Sequence, residues 1–286
     1  MPYCQYCGAE KEDTDKFCSK WGKSTKGVVE VSGMEYKLNK KELAAMGVFT
    51  AFVAAATMIV SAYVATTGGY FNVGEIMVYT SAILMGPFVG GFAGGVGSML
   101  ADVSLGYTVF APGTLVIKGI EGFIVGYLAQ YRFRPDSKNR LTALSIVAGS
   151  ILALLVWWGG TEYFTGSLEF TIGIAPSIIT WAITVPAFFW TILAMVSLIL
   201  IVVAGLYLDP KIGWLVIAIL IGGGEMVVGY YIYETIVLGH MLAFAEVFVN
   251  IGQVTIGLLV AIPLSRSINR IMPGIRRPQD KMVEPK

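Results

Sequence analysis

The sequence predicts an all-α integral membrane protein of about eight spans, preceded by a small separate amino-terminal module. Three observations carry this. First, 56% of the 286 residues are hydrophobic and only 14% are charged, whereas a soluble domain keeps roughly 25% charged to face water. Second, the charges crowd into residues 9–41, 132–140 and 266–286. The apolar runs between them reach the roughly 20 residues that cross a ~30 Å hydrocarbon core as a helix. Third, 19 of the 20 lysines and arginines fall in segments that share one side of the membrane if the amino terminus is inside, the pattern expected of cytoplasmic loops. The remaining one, Lys118, lies within a helix. The net charge of +1 comes with no basic stripe, so no nucleic-acid partner is expected.

Taken in order, residues 1–24 form the module and 25–41 a polar linker. The membrane domain covers 42–268, and a cytoplasmic tail occupies 269–286. The first helix is expected over 42–65 and is followed by a glycine-rich, charge-poor stretch, 67–74. Two closely connected helices, 75–85 and 87–104, break at Gly86-Pro87; the first is too short to cross alone. Further helices are expected over 111–131 and, after the hydrophilic loop 132–140, over 141–160. A long apolar segment, 176–207, contains Pro186, which kinks or shortens it. The last pair covers 212–235 and 241–264. The implied topology is multi-pass in the cell membrane with both termini cytoplasmic. The first apolar run starts near Leu43 without a cleavage pattern, which argues against a secretory signal.

The amino-terminal module reads Cys4-Gln-Tyr-Cys7-Gly8 and then Phe17-Cys18-Ser-Lys-Trp21. Paired Cys-x-x-Cys knuckles give a zinc ion four thiolates, and the module resembles the short zinc ribbons that open many prokaryotic membrane proteins. Trp21 stands where the fourth cysteine belongs, and indole cannot ligate zinc. Two readings follow: a weakened zinc site on Cys4, Cys7 and Cys18 with a water or carboxylate as fourth ligand, or a degenerate ribbon. Thiolates clustered in this way suit a reducing compartment. Catalysis at such a zinc is not expected.

Ionisable groups inside a bilayer are costly and mark pathways, sites or contacts. Glu75, Asp102, Lys118, Glu121, Glu225, Glu234, His240 and Glu246 all stand in or beside the expected spans. Lys118 and Glu121, three apart, share a helix face; they either neutralise each other or face a polar cavity. Glu246, Asn250 and Gln253 form one stripe that must face the bundle interior, as a solute contact or as glue between helices. Tyr230, Tyr231 and Tyr233 fit an interfacial belt, although one or two of them could instead stack on a planar ring. The ridge Gly47, Ala51, Ala55 lets another helix approach closely, within the chain or from a partner.

The stretches Gly69-Tyr-Phe-Asn-Val-Gly-Glu75, Gly86-Pro-Phe-Val-Gly-Gly, Gly97-Ser-Met-Leu-Ala-Asp102, Ala111-Pro-Gly-Thr-Leu-Val-Ile-Lys118-Gly-Ile-Glu121 and Ala245-Glu246-Val-Phe-Val-Asn250 together resemble the S components of energy-coupling-factor vitamin transporters, riboflavin-type branch. The likeness covers about 42–131 and 212–268. It implies a six-helix core and a ligand site near the outer face gated by the loop after the first helix; the chain departs from the family pattern in a two-helix insert at 141–211, which could dock a different partner or block the usual one. It also implies partners: a transmembrane T protein, contacted at Gly47, Ala51 and Ala55, and two cytoplasmic ATPases. Carried over by position, Asn72, Glu75, Lys118, Glu121, Glu246 and Asn250 become ligand-site candidates, with Gln253 added from the polar stripe. Glu75 stands where the family usually has aspartate.

No Walker motif occurs in the sequence, so the chain cannot drive transport alone. The expected role is capture of a riboflavin-, pyridoxine- or pyrimidine-like solute, with no enzymatic activity. A membrane regulator or scaffold that binds a partner through its ribbon is the alternative. An intramembrane hydrolase is the weakest option, because one histidine and no paired ligand motif leave no catalytic set.

Overall fold

A computed structural model describes residues 40–63, 69–130, 138–172, 179–207, 210–239 and 243–272. The chain divides into two units, residues 1–39 and 40–286. The module with Cys4, Cys7 and Cys18, as well as His240, lies outside the described residues. The zinc reading therefore stands on sequence alone.

Among the described residues there are eight α-helices: α1 (Lys40–Ile59), α2 (Glu75–Met85), α3 (Pro87–Leu105), α4 (Ala111–Gln130), α5 (Lys138–Tyr163), α6 (Ala187–Tyr207), α7 (Pro210–Ile232) and α8 (Ala243–Ile271). Five helical stretches are long and apolar enough to cross a membrane: Lys40–Ile59, Pro87–Leu105, Thr142–Tyr163, Ile212–Val237 and Ala243–Ile271. Their outward faces are apolar. Phe52, Val116, Ile192, Ile199 and Val228 are all exposed, an arrangement that water disfavours and lipid accepts.

The short helix α2 is the hub. It packs on α1, α3, α4 and α8, and nine of its eleven residues are buried. At 1.5 Å per residue it covers only about half the hydrocarbon thickness. It persists because protein surrounds it. Gly86 ends it with φ 88°, a left-handed conformation that glycine adopts without a Cβ clash. Pro87 then opens α3, where a missing N–H costs nothing.

Around this hub, α3 packs on α1 and α4, α4 on α7, and α7 on α8. Glycines allow the close approach. A Cβ at Gly90 would lie 2.7 Å from Cα of Ala82, and one at Gly94 would lie 2.7 Å from the Lys118 carbonyl oxygen. The glycine run of α3 is thus spent on backbone contact with α2 and α4. Helices α5 and α6 pack on each other and on α7 and α8. The Tyr163 ring stacks on Phe248 at 5.2 Å, and Trp158 meets Phe248 edge-on at 5.4 Å, which fastens α5 to α8.

Two expected boundaries shift. The first helix stops at Ile59 rather than 65, because Ser61–Tyr63 forms β1, antiparallel to β2 (Tyr70–Asn72) with Ser61 opposite Asn72. The apolar segment expected at 176–207 is not one kinked helix. Ile179–Val185 is strand β4, and Pro186 immediately precedes α6. Five of the seven residues of Ile179-Thr-Trp-Ala-Ile-Thr-Val185 are β-branched, which suits a strand. Strand β3 (Gly166–Ile172) pairs with β4, and Thr171 pairs back to Ser61. The result is a four-stranded sheet in the order β2-β1-β3-β4, an addition to the helical bundle.

Candidate functional site

Where β2, α3, α4, α7 and α8 meet, the bundle leaves an open-mouthed cavity of about 40 Å³. That space holds a few waters, so a vitamin-sized solute would need the walls to move apart. Five of the seven ligand candidates line it: Asn72, Lys118, Glu246, Asn250 and Gln253. The other two, Glu75 and Glu121, sit directly behind Lys118.

Lys118 is the centre of a buried triad. Its ammonium contacts Glu75 Oε1 and lies 3.3 Å from Glu121 Oε2. The Tyr79 hydroxyl, from α2, donates to Glu121 Oε1 at 2.7 Å. Glu75 starts α2, whereas Lys118 and Glu121 lie one turn apart on α4, so the triad ties the hub helix to its neighbour. All three residues are at most 4% exposed. One cation shared between two carboxylates leaves the triad one negative charge in excess.

The rest of the wall is built by neutral donors and further acids. From β2, the Tyr70 hydroxyl donates to Asp102 Oδ1 at 2.5 Å, and the Tyr70 ring stacks on Tyr107 at 4.4 Å. Burial and the adjacent Asp102 carboxylate hold the Tyr70 hydroxyl well above the usual phenol range, so it stays a donor. The Tyr230 hydroxyl, from α7, donates to Thr114 Oγ1 at 2.8 Å, and Lys118 Nζ sits 5.6 Å from the Tyr230 ring centroid. On α8, Gln253 Nε2 donates to Asn250 Oδ1 at 2.8 Å. Asn72 does local work as well, since its Oδ1 accepts the Gly74 N–H at 2.9 Å and shapes the turn into α2. Gly69 lies so close to Glu246 that a Cβ there would stand 2.8 Å from Oε1. A side chain at position 69 would have to push the flexible Glu246 carboxylate aside.

Several wall residues were absent from the sequence-derived site: Tyr70, Asp102, Thr114, Tyr230 and Glu234. The signal was partly present. Ser98 and Asp102 are four apart on α3, and Thr114 extends the Lys118–Glu121 face by one turn, the same periodicity that picked out Glu246, Asn250 and Gln253. The tyrosines divide. Tyr230 is buried in the wall, Tyr231 is 41% exposed, and the Tyr233 hydroxyl donates to the Val109 carbonyl at 2.8 Å. As for the small-residue ridge, Gly47 and Ala51 are exposed and Ala55 is half-buried. Nothing lies within 4 Å of a Cβ built on Gly47, so within the described residues that end of the ridge packs against no helix.

Comparison with known proteins bears on the same segments. A Pyrococcus woesei protein described as an uncharacterized protein in gap 3'region is 54% identical over 102 residues, which are 36% of this chain and 66% of that protein. The chain thus spans just under two thirds of that relative's length. Residues 37–208 match the ECF-type riboflavin transporter S component family. The match takes in Asn72, Glu75, Asp102, Lys118 and Glu121. The α7–α8 side of the cavity, with Tyr230, Glu234, Glu246, Asn250 and Gln253, lies beyond it. With well over half of its length matched, the chain belongs to the ECF-type riboflavin transporter S component family, whose members are membrane substrate-binding subunits and not enzymes.

Proposed function

We propose that this chain captures a vitamin or vitamin precursor at the outer face of the cell membrane and hands it to partner subunits for ATP-driven uptake. Riboflavin is the solute in the family's name; pyridoxine- and pyrimidine-like rings present similar flat faces and polar edges. The observation that carries the reading is the cavity itself. Polar side chains from β2, α3, α4, α7 and α8 converge on one pocket, although buried polar groups in a membrane bundle are costly unless they serve a ligand or one another. The distribution of lysine and arginine supports cytoplasmic termini, which puts the cavity mouth outside.

The partners are a transmembrane T protein and two cytoplasmic ATPases, with the exposed ridge at Gly47 and Ala51, continued by Ala55, as the contact for the T protein. The small residues there would let a partner helix approach closely. The amino-terminal ribbon, whether or not Cys4, Cys7 and Cys18 hold zinc, is peripheral to solute capture. Helices α5 and α6 with their hairpin are read as an insert (141–211) beside the six-helix core.

The test is ligand retention. Gentle purification followed by mass spectrometry identifies the bound solute, and equilibrium dialysis then measures its affinity for the Lys118→Ala, Asn250→Ala variant. A loss of at least about tenfold is expected from removing two buried polar contacts. Unchanged affinity in the folded double variant refutes the site. A second arm uses Ala51→Leu: solute binding persists while co-purification with the T protein is lost.

A further inference from the structure

We infer that Tyr79, which stands behind the cavity wall, is a positioning residue for solute binding: by holding Glu121 it keeps one N–H of Lys118 free for an acceptor on the solute. The inference rests on the reading of the cavity as the solute site. It deepens that reading by assigning the kind of solute atom that Lys118 meets and the side chain that aims it there.

An ammonium carries three N–H donors and no acceptor. Two carboxylates reach Lys118 from behind, Glu75 from α2 and Glu121 from its own helix. In front, Lys118 lines the cavity, and its Nζ sits 5.6 Å from the Tyr230 ring centroid. One N–H to each carboxylate leaves one for the cavity. That division fails if a carboxylate grips the ammonium with both oxygens. Glu75 meets it through Oε1. For Glu121 the matter is settled by Tyr79, whose hydroxyl donates to Oε1 at 2.7 Å, while Oε2 faces Lys118 at 3.3 Å.

The phenol is held in place by packing from two further helices. Tyr79 is fully buried, and glycines make its slot. A Cβ at Gly223 of α7 would stand 3.0 Å from the hydroxyl oxygen. One at Gly257 of α8 would stand 2.7 Å from Cε2 and 2.6 Å from Cβ of Glu75, so α8 seats both side chains that steer Lys118. A phenylalanine would fill the same slot; what tyrosine adds is the donor on Glu121. The N–H left over on Lys118 fits a ring carbonyl or an unprotonated ring nitrogen, the acceptors along the edge of a flavin. The hydroxyls of Ser98 and Thr114 and the amides of Asn72 and Asn250 on the same wall bring further donors to such an edge.

The test uses the full-length protein in lipid nanodiscs, with riboflavin as the probe in equilibrium dialysis. Tyr79→Phe keeps the ring and removes the donor; it is expected to weaken riboflavin binding about five- to tenfold. Lys118→Met is expected to weaken it at least about tenfold. Tyr79→Phe added to Lys118→Met is expected to change affinity less than about twofold further, because its effect passes through the ammonium. If Lys118→Met does not yield folded protein, its combination with Glu75→Gln and Glu121→Gln serves as the background without the ammonium. A loss of similar size with and without Lys118, as a purely structural role would give, overturns the positioning role. So does parent-like affinity of Tyr79→Phe, and both leave the solute-site reading standing. Affinity unmoved by removing Lys118, or riboflavin retained no better than by empty nanodiscs, overturns the two together.

Discussion

Replacing Lys118 by methionine tests the centre of the site most directly. Methionine keeps the length and apolar volume of the stem but removes the ammonium between Glu75 and Glu121, both at most 1% exposed. Breaking a buried ion pair by removing one partner costs about 3–5 kcal/mol, because it strands a charge in a poorly polarisable setting. Two carboxylates are stranded here, although Tyr79 continues to donate to Glu121 Oε1 at 2.7 Å and softens the loss on that side. For a domain of this size each kcal/mol shifts the unfolding midpoint by roughly 2–4 °C, so the expected fall is about 6–20 °C. The assay is thermal unfolding in one detergent at a fixed scan rate, since large membrane proteins unfold irreversibly and their midpoints depend on rate. The charge count supplies an internal control. Glu75→Gln alone removes the excess negative charge and leaves Lys118 paired with Glu121, so it is expected within about 1 kcal/mol of the parent. Adding Glu75→Gln and Glu121→Gln to Lys118→Met is expected to recover most of the lost stability. A Lys118→Met midpoint within about 1 °C of the parent, or a triple variant no more stable than the single one, would refute the triad as described.

Other outcomes follow from the same geometry. Gly94→Val drives a side chain into the Lys118 carbonyl and is expected to cost about 3 kcal/mol or more, read as a lowered midpoint and poor recovery from the membrane; a parent-like midpoint would contradict the close α3–α4 contact. Tyr70→Phe removes the donor on buried Asp102 and is expected to cost about 1–3 kcal/mol of stability, read as a lowered unfolding midpoint, and to weaken solute binding by about five- to tenfold, measured by dialysis. Deleting residues 1–24 is expected to leave solute uptake intact in cells that supply the partner subunits. Abolished uptake with normal membrane levels of the protein would instead favour a role for the ribbon in partner binding.

The amino-acid sequence by itself determined the membrane character, the order of the helices and most of the polar residues that line or back the cavity. Burying charge in lipid is so unfavourable that each ionisable residue within a span stands out: Glu75, Lys118, Glu121 and Glu246 were legible for that reason. The stripe Glu246–Asn250–Gln253 could be assigned to the bundle interior from spacing alone, because a helix returns to one face every three to four residues. The break at Gly86-Pro87 was legible from backbone chemistry.

Only the tertiary structure decided which of these residues meet. That Lys118 bonds Glu75 of another helix as well as its own neighbour Glu121 depends on how α2 sits against α4, and glycines at 90 and 94 allow that approach without announcing its register. Tyr70, Asp102 and Tyr230 entered the site through contacts 32 to 116 residues apart in sequence, a separation that no local pattern encodes. The strands at 61–63 and 179–185 were hidden for a related reason. The apolar, β-branched run 179–185 suits both a membrane helix and a strand, and its pairing with β3 selects the strand, as the pairing of Ser61 with Asn72 and Thr171 does for 61–63.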